Sequence, residues 1–423
     1  MSTGNGRHGA ARPAAGNGRR PGTTLITGGA GFVGANLADA LLRDGRRVVI
    51  LDNLSRAGVE QNLAWLRAEH GDRLDVMVED VRDARAVQAA VARADTVFHF
   101  AAQVAVTTSL DDPVDDFAVN ARGTLNVLEA ARHRRTPPAV VFTSTNKVYG
   151  ALDDVAIVRD AMRYVPADER LRAHGVSEAR PLDFHSPYGC SKGAADQYVL
   201  DYARSFGLPS VVFRMSCIYG PHQFGTEDQG WVAHFLIRAI DGAPVTLYGD
   251  GMQVRDILFV EDLVAALRLA ARDAEQLAGR AFNIGGGPRN AISLLELLDL
   301  IELMHGRRPR VSFAPWRTGD QRYYVSDTTR FAAATGWAPT VRAADGVERL
   351  YRWLLAARGL RRPARAAADD EPVTEAPLVA DAPLAAAASA GGGGAADASQ
   401  AARAARAARG TATGRGDSRL EAR

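Results

Sequence analysis

The sequence predicts an α/β protein: a Rossmann-type doubly wound parallel sheet followed by a smaller C-terminal α/β lobe. Three observations predict it. Short apolar runs alternate with helically spaced apolar residues through the first half, and a glycine-spaced turn joins the first run to the first helix. An acidic residue then closes the second run about 20 residues further on.

The runs Thr24 to Thr27, Arg47 to Leu51, Asp75 to Val78, Thr96 to Phe100, Ala139 to Ser144 and Ser210 to Arg214 read as strands. They are continuously apolar rather than alternating, which is the pattern of a sheet covered on both faces. After the first strand, Phe32, Val33, Leu37, Leu41 and Leu42 recur at helical spacing, and Gly45 ends that helix. Gly28, Gly31 and Gly34 form a GxxGxxG turn. Without side chains it turns tightly, lets backbone N–H groups approach a pyrophosphate and packs helix on sheet. Asp52 ends the second strand as a ribose-binding carboxylate should, and it would repel a 2′-phosphate. NAD is therefore favoured over NADP, with Arg56 leaving NADP open. Asp80 and Val81 follow the third strand, and Ala101, Ala102 and Gln103 follow the fourth. Both are strand C-terminal ends, where open sheets bind ligands; a helix cap or a small-residue turn accounts for either equally well. Asp80 suits an adenine amine, and the two alanines allow close passage of a cofactor.

The composition is that of a globular enzyme, with 47% hydrophobic and 24% charged residues among 423. A formal net charge of +2 offers no broad attraction to nucleic acid or to acidic membranes. Two cysteines, Cys190 and Cys217, cannot build a disulfide framework, so a reduced, cytoplasmic setting is the simpler reading. The nine histidines lack metal-ligand spacing, and no metal is expected. Residues 1–22 are Arg-rich without an apolar core, which reads as a disordered extension rather than a secretory signal. Residues 23–219 read mainly as the nucleotide-binding domain and 220–358 mainly as a substrate lobe. Residues 359–423, rich in Ala, Arg and Gly, read as a low-complexity tail, in which Arg415-Gly416-Asp417 is a chance adhesion tripeptide.

The chemistry is carried by DFHSPYGCSK, Asp183 to Lys192. Tyr188 and Lys192 stand four apart on a helix face, so the ammonium can approach the phenol and favour its ionised form. Alone, that spacing is more often a solvated pair; behind a glycine turn it suggests hydride chemistry.

With TGGAGFVG, LDNLS (Leu51 to Ser55), FTSTNKVYG and GDGMQVRDILFVEDL in the same order, the chain resembles the extended short-chain dehydrogenase/reductase family. That family comprises NAD-dependent nucleotide-sugar epimerases and dehydratases. The likeness implies that Tyr188, Lys192 and Thr145 form the catalytic triad. It adds Asn53 and Ser55 to the cofactor set of Gly28, Gly31, Phe32, Val33, Gly34, Asp52, Arg56, Asp80, Val81, Ala101, Ala102, Gln103, Tyr188 and Lys192. Dehydratases of the family carry an Asp-Glu pair where this chain has Asn146 and Lys147. An amide and an ammonium cannot replace that acid and base, so loss of water is not expected. AAQVAVTTSLDDP, YGPHQFGTEDQGWV and DQRYYVSD resemble the branch that inverts carbon 2 of a CDP-linked deoxyhexose. Oxidation to a 2-keto sugar, rotation and re-reduction is the route implied.

Arg255 and Arg322 suit a diphosphate. Gln223, Gln229 and Trp231 suit sugar or diphosphate, with core packing the plain alternative for Trp231. Thr107, Thr108, Ser109 and Asn146 are expected near the sugar. The irregular stretch from 153 to 179 reads either as a substrate cover or as a surface excursion. The likeness also implies a homo-oligomer. A UDP-hexose or UDP-uronate 4-epimerase uses the same groups, and a non-catalytic NAD or sugar-nucleotide sensor would need no activated phenol.

Overall fold

The computed structural model describes residues 22–317 and 319–362. The expected extension and tail lie outside the described residues, apart from Gly22 and residues 359–362, and so does the Arg-Gly-Asp tripeptide. In chain order the first eight strands are β1 (Thr23–Thr27), β2 (Arg47–Leu51), β3 (Leu74–Met77), β4 (Thr96–His99), β5 (Ala139–Thr145), β6 (Ile157–Asp160), β7 (Arg163–Pro166) and β8 (Ser210–Met215). The rest are β9 (Cys217–Tyr219), β10 (Val245–Tyr248), β11 (Val254–Phe259), β12 (Arg280–Ile284), β13 (Ala291–Ser293), β14 (Val311–Ala314) and β15 (Tyr323–Tyr324).

Seven strands form one parallel sheet in the order β12-β8-β5-β4-β1-β2-β3. Val97, Val140 and Val212 pack on one face, and Phe98, Val141 and Phe213 on the other. Both faces are covered, which is why these strands read as unbroken apolar runs. The chain reverses direction across the sheet between β1 and β4, opening a crevice at their C-terminal ends.

The second lobe holds β10 beside β14, and β11 flanked by β13, β15 and β9. Helices Trp231–Ile240, Leu294–His305 and Ala343–Ala357 close its core around Phe235, Leu236, Ile257, Leu298 and Leu350. Ser293 and Glu296 form a capping box that starts the second of these helices.

The expected division at residue 219 is crossed in both directions. Strand β12 returns to the large sheet as its seventh member. The stretch from 153 to 179 forms the β6–β7 hairpin and the helix Glu169–His174, and it packs on the second lobe. The Tyr164 N–H donates to the Met252 carbonyl (2.9 Å), Arg163 pairs with Glu296, and the Asn283 N–H donates to Glu178 (2.7 Å). No residue from 153 to 179 lines either cavity, and these contacts make the segment a brace between the lobes. Among the described residues no helix is long and apolar enough to cross a membrane.

Candidate active site

Two adjoining cavities open at the C-terminal ends of the large sheet, one of about 790 Å³ and one of about 450 Å³. They share Gly28, Gly31, Arg56 and Ala102, so the glycine loop is the partition between them.

The loop is built for close approach. Gly28 has φ +69°, and a Cβ there would stand 2.7 Å from the Ala101 nitrogen; one at Gly34 would stand 2.4 Å from the Gly28 carbonyl. At Gly31 a Cβ would meet only the Gly28 oxygen, at 3.2 Å, which leaves the space above it open to both cavities. Helix Phe32–Arg43 begins here with no side-chain cap. The first-turn N–H groups of Phe32, Val33 and Gly34 therefore lack helical acceptors and face an anion site.

Asp52 accepts the N–H groups of Ala30 (3.0 Å) and Leu54 (2.9 Å), which orient its carboxylate in the smaller cavity. Burial raises its pKa, and those hydrogen bonds and Arg56 act against the rise. Asn53, Ser55, Asp80, Val81, Ala101 and Gln103 line the same cavity. Arg82 holds Asp80 down to about 2 and takes up both its oxygens, and Asn53 donates to it at 2.9 Å. A ligand amine would have to share that carboxylate. These features fit a dinucleotide: an oriented carboxylate on the sheet side, and a glycine cradle beneath uncapped N–H groups.

Thr145, Tyr188 and Lys192 meet at the floor of the larger cavity. Thr145 comes from the end of β5; the other two come from helix Ser186–Phe206. Ser186 holds a left-handed φ of +64° just before Pro187, a strained start that sets the first turn under Tyr188. Ser109 Oγ accepts the Tyr188 N–H at 3.2 Å. Burial pushes the Tyr188 phenol up to about 12; a hydrogen bond from the Thr145 side lowers it, Asp116 raises it and Arg56 lowers it.

The expected assistance from Lys192 takes another form. Its Nζ donates to the Thr143 carbonyl (2.6 Å) and lies over the Phe142 ring at 4.2 Å, and burial brings its pKa down to about 7. Asp116 and Asp196 oppose that fall. Asp116 is fully buried, bonded to Ser191 and to Asn120 (3.1 Å), at the junction with a π-helical turn, Ala118–Arg122. Such turns recur at functional sites. Its only signal in the sequence is a four-residue spacing to Asn120.

Asn146, Thr107, Gln223, Gln229, Trp231 and Arg255 also line the larger cavity. Six residues of its lining, Asn62, Thr107, Ser144, Gln223, Trp231 and Gln253, each carry a buried polar side-chain atom without a partner among the described residues. Buried polar groups are normally satisfied, so these mark a polar ligand's place.

Three expected substrate residues lie elsewhere. Ser109 is fully buried and spent on Tyr188 and the Val106 carbonyl. Thr108 lines the smaller cavity. Arg322 is exposed and lines neither cavity, with its guanidinium 5.3 Å from the Trp316 ring centroid. The arginine that reaches the larger cavity from this loop is Arg317, 3.6 Å over Tyr248 and paired with Asp228 (3.3 Å) and Glu227 (3.7 Å). Sequence spacing alone does not separate the two arginines.

Residues 24–285 match the NAD dependent epimerase/dehydratase family. The chain is 44% identical over 336 residues to CDP-paratose 2-epimerase of Salmonella typhi, covering 78% of this chain and 98% of that protein. It is 34% identical to UDP-glucose 4-epimerase of Mycolicibacterium smegmatis, covering 77% and 96%. Among solved structures, the UDP-glucuronic acid 4-epimerase of Bacillus cereus, in complex with UDP-glucuronic acid and NAD, superposes with a TM-score of 0.68 at 26% identity, covering 79% of this chain and 99% of that one.

Proposed function

The chain belongs to the NAD dependent epimerase/dehydratase family, and from that premise we propose that it inverts carbon 2 of a CDP-linked dideoxyhexose, interconverting CDP-paratose and CDP-tyvelose. The observation that carries this reading is that Thr145, Tyr188 and Lys192 line the larger cavity, which adjoins the smaller one at the glycine loop. The glycine loop and Asp52 offer a dinucleotide site on one side; Arg255, Arg317 and the unpartnered polar atoms offer a nucleotide-sugar site on the other. The 44% likeness to a CDP-paratose 2-epimerase supports carbon 2 and cytidine.

When bound, NAD supplies the hydride acceptor and donor and a positively charged ring. Tyr188 takes the proton of the carbon-2 hydroxyl, and Thr145 holds that oxygen within hydrogen-bond reach. Lys192 places a cation behind the pair. The resulting ketone turns its other face within the cavity, and Tyr188 returns the proton after reduction. Asn146 and Lys147 provide no carboxylate for dehydration.

A second copy is the proposed partner. Val114 and Phe117 are 79% and 58% exposed, and Tyr198 and Phe206 are 47% and 52% exposed on the neighbouring helix Ser186–Phe206. The free thiols of Cys190 and Cys217 support a reducing, cytoplasmic setting.

Proton NMR of the full chain in deuterated water, with CDP-paratose, UDP-glucose and UDP-glucuronate in separate tubes, tests the proposal. Inversion at carbon 2 of the CDP sugar with the original hydrogen retained is expected. Deuterium at the inverted carbon would sink the hydride route. Inversion at carbon 4 of a UDP sugar alone would move the chain to the 4-epimerases.

A further inference from the structure

We propose that Lys147 is a third cation of the diphosphate site, reaching the sugar-side phosphate two residues beyond Thr145; this rests on the nucleotide-sugar reading above. The Lys147 N–H donates to Thr145 Oγ1 at 3.2 Å, so the lysine sits on the same turn as the hydroxyl that faces Tyr188. Its side chain lines the larger cavity and remains 21% exposed there. The ammonium spends one donor on the Gly319 carbonyl (2.9 Å), and its nearest carboxylate, Asp320, stands at 4.0 Å. Two of its three donors are left for a ligand.

The groups facing it make an anion the missing element. Arg255 from β11, Asp320 from the loop after β14 and the Cys217 thiol from β9 all act on it. Arg255 is buried, donates to the Val254 carbonyl (2.8 Å) and has no carboxylate within 4.0 Å among the described residues. Lys147 and Arg255 thus lie close enough to repel each other, with a single carboxylate, Asp320, at 4.0 Å from Lys147 and none that close to Arg255, an arrangement that costs stability until a dianion enters. Burial and Arg255 bring Lys147 down to about 8, so its charge is present at neutral pH and lost above it. Arg317 differs, since Glu227 and Asp228 already face it.

The placement has a regiochemical consequence. In a nucleotide sugar the outer phosphate is esterified to carbon 1, and carbon 2 is its neighbour. A phosphate drawn to Lys147, beside Thr145, presents carbon 2 to Tyr188, whereas carbon 4 lies across the ring. Lys147 is thereby a specificity-determining residue.

The test is calorimetric titration of the NAD-loaded full chain, as wild type, Lys147→Met and Lys147→Arg, with CDP, UDP and CMP at pH 7 and pH 9.5. At pH 7, Lys147→Met should weaken CDP and UDP on the order of tenfold, the worth of a charge-assisted contact, and CMP little. Lys147→Arg should restore CDP binding. Wild type should lose a similar factor between the two pH values and Lys147→Met should not; Lys192 titrates in both proteins, so their difference isolates Lys147. Unchanged CDP affinity in Lys147→Met, or equal losses for CDP and CMP as a broken tether to Gly319 would give, overturns the inference. A preference for UDP with the Lys147 effect intact would overturn the cytidine reading alone.

Discussion

Replacing Lys192 by methionine keeps the length of the side chain and removes its charge. Lys192 is 3% exposed, and burial lowers its pKa from 10.5 to about 7. Below about pH 7 the folded and unfolded chains both carry the proton, and the folded state bears the full penalty of a buried cation. Above 10.5 neither carries it, so the penalty fades as pH rises between those values. A shift of that size corresponds to about 4 kcal/mol at pH 7. Against it stand the bond to the Thr143 carbonyl and the contact with Phe142, together about 1–3 kcal/mol. Lys192→Met should therefore be about 1–3 kcal/mol more stable than wild type at pH 7, with turnover lower by at least about 100-fold. The advantage should shrink by about 1.4 kcal/mol per pH unit and reverse near pH 9. Guanidinium unfolding of the cofactor-free chain in half-unit steps from pH 6.5 to 9.5, beside turnover, reads both effects. A variant less stable than wild type by the same amount at every pH would refute the reasoning.

Tyr188→Phe should lower epimerisation by about 10²–10⁴-fold, a far larger effect than on NAD binding; retained turnover removes Tyr188 as the acid-base group. Asp52→Asn should weaken NAD by about tenfold and narrow the preference over NADP, read by fluorescence titration, since the charge facing a 2′-phosphate is gone; an unaltered preference assigns discrimination elsewhere. Asp196→Ala leaves the buried Arg214, bonded to it at 2.9 Å through both Nε and Nη2, without its counter-charge. The loss in chemical denaturation should be about 3–5 kcal/mol, and one below about 1 kcal/mol would show that solvent reaches the arginine.

The part of the site legible in sequence is local. Gly28, Gly31 and Gly34 serve one turn between a strand and a helix, and their requirement is set by atoms within a few residues and by the adjoining β4 end. Tyr188 and Lys192 share a helix face through a four-residue spacing. Strand β12 was not among the expected strands, because its membership of the large sheet depends on pairing with β8 some seventy residues earlier. The segment from 153 to 179 reads as a substrate cover or a surface excursion, and its hairpin contacts with Met252 and Glu296 give it a bracing role that neither reading held.

Periodicity and short spacings in the chain express backbone geometry directly, and they suffice for the doubly wound sheet, the glycine loop with Asp52 and the shared helix face of Tyr188 and Lys192; Thr145 is added through the family resemblance alone. Only the tertiary structure decided which arginine of Arg317 and Arg322 reaches the cavity, that Lys192 rests on the Thr143 carbonyl, and that Lys147 faces Arg255. Those outcomes depend on contacts such as Asn146 with Gln321, 175 residues apart, where side-chain direction is set by how two lobes pack.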